Sequence, residues 1–222
     1  FAVPPGQTVA LIGTTGSGKS TLVNLLLRAY DVTDGSILVN GTDIRRVTQH
    51  DLRAMIGYVP QRTTLFAGTV ASNLRLADEQ AEEAVLRSAL TTAQAAEFVL
   101  DKPEGLTLAV APGGANLSGG QKQRLAVARA LVKQPPIYIF DDSFSALDFK
   151  TDATLRRALK QATRGSTQFI VTQRISTAQN ADHILVLDEG RIVSRGAHAE
   201  LLKTSDIYQD LAVSQLGAEE QA

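Results

Sequence analysis

The sequence contains no cysteine, which removes disulfides, Cys-ligated zinc, iron–sulfur clusters and thiol nucleophiles from consideration and suits a reducing compartment. It also lacks an excess of either charge: 22 Lys and Arg stand against 23 Asp and Glu, a formal net charge of −1. No broad cationic surface is indicated, and no nucleic-acid partner is expected. No apolar run approaches the ~18 residues of a membrane-spanning helix. The opening FAVPPGQTVA has neither the basic start nor the apolar stretch of a signal peptide. The sequence has no internal repeat and no long linker. The 222 residues are 44% hydrophobic and 20% charged, an ordinary globular composition rather than a disordered one. A chain of this length buries roughly 70% of its unfolded surface without staples. It opens on Phe1 and enters a strand pattern within a few residues, so it reads as a piece of a longer polypeptide.

Thr8 to Ile12 form a short apolar run that ends in a Gly-rich turn, and residues 21 to 27 carry a helical pattern, giving strand, loop, helix. Further strands are predicted at Ile37 to Val39 and Ile56 to Val59. From about residue 70 to 100 Ala, Glu, Leu and Arg dominate at helical spacing, a helical insertion. A Pro- and Gly-rich loop (101 to 116) leads to Ser118 as a helix cap, and that helix must end before Pro135 and Pro136. Ile137 to Phe140 are continuously apolar, as in a parallel sheet covered on both faces. Helix 151–162, strands 167–172 and 183–187, and a hairpin partner Arg191 to Ser194 follow. The expected fold is α/β: a mainly parallel, doubly wound sheet with an antiparallel β portion and a helical subdomain. The core is expected at about 1–61 and 135–212, the helical subdomain at about 62–134, and a frayed tail at 213–222.

Gly13-Thr14-Thr15-Gly16-Ser17-Gly18-Lys19-Ser20 matches the phosphate-loop pattern G-x-x-x-x-G-K-[ST] between a strand and a helix, as its mechanism requires. Glycines let successive N–H groups face a phosphate, the helix N-terminus adds its dipole, Lys19 neutralises β and γ oxygens, and the Ser20 hydroxyl suits Mg²⁺. Thr21, next in line, joins the nucleotide-binding candidates. Asp141, delivered at the carboxyl end of its buried strand, is the acidic partner for the metal. The adjacent Asp142 could hold the base for an attacking water. Either carboxylate could instead cap the following helix, and capping could coexist with chemistry. Ser118, Gly119, Gly120 and Gln121 open a second helix as an anion site with no Lys and no carboxylate of its own. Alone it reads equally as a capped helix start; its incompleteness suggests that it completes a pocket built by another chain.

The phosphate loop, Gln61 in GYVPQ, LSGGQ at 117–121, the Asp141 strand and Ser145-Ala146-Leu147-Asp148 resemble, in order and spacing, the nucleotide-binding domain of ATP-binding cassette transporters over nearly the whole chain. YVPQRTTLFAGTVASNL resembles the Gln-loop region of exporter-type cassettes. The resemblance implies a phosphate-loop NTPase fold, binding of ATP with Mg²⁺, and two cassettes placed head to tail, each lending LSGGQ to the other. It implies transmembrane domains N-terminal in the same polypeptide and a place on the cytoplasmic side of a membrane. It assigns Gln61, with Ser20 and Asp141, to Mg²⁺, faces Ser118 to Gln121 toward the partner's γ-phosphate, and sets Asp148 on a loop crossing the interface. Leu65 and Phe66 are expected to receive a coupling helix. The family's adenine-stacking aromatic belongs upstream of residue 1.

Two residues depart from the family pattern: Asp142 stands where active cassettes have Glu, and Gln173 in VTQRIST where they have a switch His. Gln can hydrogen-bond a phosphate oxygen but carries neither a proton nor a charge. The expectation is an ATPase with Asp142, Gln173 and Lys19 as its catalytic residues, ATP binding retained and hydrolysis weakened by the substitutions at Asp142 and Gln173, paired with a different chain having Glu and His. A fully active homodimeric ATPase and a soluble cassette protein acting on nucleic acid are the alternatives. His50, in a polar turn, His183 and His198 read as surface or capping residues.

Overall fold

The computed structural model describes residues 1–219, with side chains described through Gln215. In chain order its elements are β1 (Thr8–Ile12), α1 (Lys19–Leu26), β2 (Leu38–Val39), β3 (Thr42–Asp43), α2 (Gln49–Ala54), β4 (Ile56–Val59), β5 (Gly68–Thr69), α3 (Val70–Arg75), α4 (Glu83–Thr92), α5 (Ala96–Val99), β6 (Ala109–Val110), α6 (Gly119–Val132), β7 (Ile137–Asp141), α7 (Phe149–Ala162), β8 (Thr167–Thr172), α8 (Ile175–Ala178), β9 (His183–Asp188), β10 (Arg191–Gly196), α9 (His198–Thr204) and α10 (Asp206–Glu219). They pack as two compact units.

The first unit comprises Phe1–Ile56, Pro136–Asp142 and the chain from Gly165 onward. Five of its strands lie in the order β10-β9-β1-β8-β7. All neighbours are parallel except β9 and β10. β1 and β9 are apolar almost throughout because parallel strands are covered on both faces. β10, on the edge, is largely exposed. Ala10, Ile12, Ile184 and Val186 pack with Ile175 and Ala178 of α8, Leu201 of α9, and Tyr208 and Ala212 of α10 in one core cluster. The register sets the functional edge: Ile12 lies opposite Thr172, and Asp141 opposite Val171. Gly13, Asp142 and Gln173 therefore leave neighbouring strands at one carboxyl edge, where open α/β sheets bind ligands.

The second unit comprises Gly57–Pro135 and Ser143–Arg164. α6 packs on α3 and α4, and α7 packs on α4. α6 buries Leu125, Ala126, Val127, Ala128 and Leu131, and ends at Val132 before Pro135 and Pro136, as expected. β5 and β6 form a short antiparallel pair.

Four features differ from the sequence-based expectation. Ser143–Arg164, read there as core, belongs to the helical unit, because α7 buries Leu155 and Leu159 and packs on α4. His50 lies in α2 rather than in a turn, because Thr48 caps that helix by accepting the Asp51 N–H. β10 runs on to Gly196 rather than ending at Ser194. The tail expected to fray from 213 is helical through Glu219, since Gln215 is tied by two hydrogen bonds; residues 220–222 lie outside the described residues.

Candidate functional site

The phosphate loop connects β1 to α1 and is shaped by contacts within the first unit. A Cβ on Gly13 would run into the Leu187 carbonyl oxygen. Gly16 and Gly18 have φ of 84° and 103°, a left-handed backbone that side chains other than Gly adopt at a cost. The turn after β9 supports the loop, with Gly190 N–H donating to Ser17 O at 3.0 Å. Gly18, the residue capping α1, provides no side-chain acceptor. The first intrahelical bond runs from Leu22 N–H to Gly18 O, so the N–H groups of the first turn stand available to an anion.

Lys19 is 8% exposed. Its ammonium donates to Gly13 O at 2.8 Å, Thr14 O at 2.7 Å and Ser17 Oγ at 3.3 Å. Burial draws its pKa below the ordinary lysine value, while the charges of Asp142 and Asp141 pull it back up. Both carboxylates are thus within electrostatic reach of the ammonium. Asp141, the buried last residue of β7, stands at the sheet edge. Asp142 follows with φ of 45° and donates its N–H to Val171 O at 2.9 Å. Neither caps a helix; the next one, α7, is capped by Asp148. Gln173 is exposed immediately after β8. The first unit therefore brings together Gly13 to Thr21, Asp141, Asp142 and Gln173.

Those groups fit a magnesium nucleotide. A buried cation and a helix start without a side-chain cap match the acceptor oxygens of a polyphosphate, and the carboxylate at the strand end suits the cation that accompanies it. No group of three acidic or His residues forms a metal cluster among the described residues. Within the first unit, Ser20 and Asp141 are the residues that would hold a divalent ion.

The remaining candidates lie in the second unit, as does the exposed Gln61. Ser118 caps α6 in a reciprocal box: its Oγ accepts the Gln121 N–H at 3.2 Å, and Gln121 Oε1 accepts the Ser118 N–H at 2.9 Å. Gly119 is open, with nothing within 4 Å of a built Cβ, whereas a Cβ on Gly120 would stand 3.2 Å from Ala146 O. The first glycine leaves room for an approaching ligand; the second permits packing against the Ser145–Asp148 loop. Asp148 accepts the Thr151 N–H at 2.9 Å as the cap of α7, a role the sequence reading missed although Asp is a favoured cap. Its carboxyl is held below the usual range, chiefly by the Thr151 backbone bond. Leu65 is 1% exposed and is not available to receive a partner directly; Phe66 is 58% exposed. Asn73 fixes Phe66 through both its N–H and its carbonyl, each at 2.8 Å.

Residues 1–145 match the ABC transporter family. An uncharacterised ABC transporter ATP-binding protein of Mycobacterium tuberculosis is 50% identical over 95% of this chain and 36% of its own length. An ATP-dependent lipid A-core flippase of Saccharophagus degradans is 46% identical over 97% of this chain and 37% of its length. A solved structure of a bacterial Atm1-family ABC exporter with ATP bound superposes with a TM-score of 0.93 at 40% identity, over 97% of this chain and 38% of that one. The chain thus spans between a third and two fifths of these relatives. With a complete phosphate loop, an acidic strand end beside it and a capped LSGGQ helix, the chain belongs to the ABC transporter family as an ATP-binding domain.

Proposed function

We propose that this chain is the ATPase domain of an exporter, that it encloses Mg-ATP against a second cassette, and that its own site hydrolyses slowly while its LSGGQ segment completes the partner's site. Lys19 and the first-turn N–H groups of α1 hold the β- and γ-phosphates, and Ser20 and Asp141 hold Mg²⁺. When bound, the ion neutralises charge on the phosphate oxygens. Asp142 orients the attacking water, and Gln173 donates a hydrogen bond to the γ-phosphate. The complete donor set supports the binding half of this reading. Asp142 carries the slow half: its backbone is pinned by the bond to Val171 O and cannot advance to compensate for a side chain one methylene, roughly 1.5 Å, shorter than Glu. A misplacement of about 1 Å can cost about 10²-fold.

The Gly119 opening supports use of LSGGQ by another chain, because no described residue of this chain stands within 4 Å of a Cβ at that position. The fixed, exposed Phe66 is the contact offered to the membrane domain. Introducing Asp142→Glu together with Gln173→His in the complete protein should raise hydrolysis at this chain's site by about 10²- to 10⁴-fold. Vigorous turnover at the unsubstituted site would refute the slow-site reading. Purification with its natural partner would separate the two assemblies: a different cassette bearing Glu and His is expected, and a homodimer would return the chain to the active-ATPase alternative.

A further inference from the structure

α8 begins two residues after Gln173, and the preceding Arg174 makes no side-chain capping bond to it. The cap comes from 40 residues away. Gln215 Oε1 accepts the Ile175 N–H at 2.8 Å, and its Nε2 donates to the Gln173 carbonyl at 2.6 Å. One carboxamide thus brackets the Gln173–Ile175 turn with both of its ends, while on the strand side Thr172 Oγ1 accepts the Arg174 N–H at 3.0 Å. Tyr208, Leu211 and Ala212 of α10 pack into the core cluster that contains Ile175 and Ala178, and Gln215 follows them on the same helical stripe, at the i, i+3, i+4, i+7 spacing.

We propose that Gln215 is a positioning residue that sets the Gln173 side chain toward the γ-phosphate, so that the C-terminal helix tunes how this site tells ATP from ADP. The inference rests on the reading of Gln173 given above. A side chain that follows a strand end is aimed by its own backbone, and that backbone is held from α10 on the Gln173 carbonyl. Loss of the bracket would leave phosphate-loop contacts intact while freeing the turn, so ATP would lose affinity and ADP, which has no γ-phosphate, would not.

The test measures Mg-ATP and Mg-ADP affinity by displacement of a fluorescent nucleotide from the complete protein with the partner site silenced. Gln215→Met, which keeps the length and apolar stem, should weaken ATP by about 3- to 10-fold, a fraction of what a hydrogen bond to a charged group contributes, and leave ADP within about twofold. Gln215→Glu keeps the acceptor for Ile175 N–H but opposes the Gln173 carbonyl; it should lose ATP preference as Met does while the Ile175 amide stays protected from hydrogen exchange. In a Gln173→Ala background neither variant should change the ratio further. Equal loss for both nucleotides, no loss for either, wild-type discrimination by Gln215→Glu, or an undiminished effect in that background would each overturn the proposal. If Gln173→Ala itself left the ATP-to-ADP ratio unchanged, the reading of Gln173 would fail, and this inference with it.

Discussion

Two glycine-rich helix starts in this molecule solve different problems with the same backbone. At α1 the capping residue is Gly18, with no side chain to satisfy the first turn, and Lys19 is buried within reach of two carboxylates. At α6 the orphan donors are partly satisfied from within, by the Ser118–Gln121 box, and the cations that follow in the helix, Lys122 and Arg124, are not buried in the loop as Lys19 is; Arg124 donates to Gly120 O at 3.4 Å. The first start is left unsatisfied and charged, a condition that a polyphosphate relieves. The second is already capped, so its folding does not wait for a ligand, and the space beside Gly119 is open. On the proposed function, a complete site and a contributed one would be distinguished by what their own side chains leave unpaired.

The largest effect should come from the complete site. Lys19→Met should weaken Mg-ATP binding by at least about 100-fold, the loss of a charge-assisted contact in a buried loop, as read by calorimetry on the complete protein; affinity retained within tenfold would break the contrast. At the contributed site the corresponding test separates surface from packing. Gly119→Ala should leave thermal stability unchanged or slightly raised, because Ala is the better helix former, yet lower hydrolysis by the assembled pair about tenfold. Gly120→Ala should lower stability itself through the 3.2 Å approach to Ala146 O. Equal behaviour of the two glycines would remove the distinction. Ser118→Ala should cost about 1 kcal/mol of stability, visible as a lower denaturant midpoint.

The legible parts of this molecule were those encoded over a few residues. The phosphate loop, the apolar strand ending in Asp141 and the Ser118 cap each have a signature within a single turn or strand, and the structure has β1 before the loop, β7 ending at Asp141 and Ser118 capping α6. His50 was misplaced although Thr48 and Asp51 carry a capping signal. What could not be read was long-range. Gln215 meets residues 40 and 42 positions away, and in sequence it sits in a polar stretch with the look of a tail. The assignment of Ser143–Arg164 to the helical unit likewise depends on which neighbour α7 buries Leu155 and Leu159 against, and helical periodicity gives the face but not the partner.

The smallest expected effect tests a cap that does titrate against one that does not. Asp148 caps α7 with its carboxylate, and the Thr151 N–H is the main reason its pKa lies below the ordinary value. A depressed carboxyl favours the folded state only while it is ionised: the unfolded chain takes up the proton first, so the contribution is complete above the ordinary Asp range of about 4 and is lost as pH falls through the folded value. Ser118 holds its helix with a hydroxyl, which does not ionise over that range. The stability gap between wild type and Asp148→Ala should therefore stay level from neutral pH down to about pH 5 and close at lower pH, whereas the gap for Ser118→Ala should be the same throughout. Denaturant midpoints across this range decide it: an Asp148 gap that stayed constant to the acid limit would mean that the side chain holds the start of α7 without its charge, and no gap at any pH that the loop alone starts the helix.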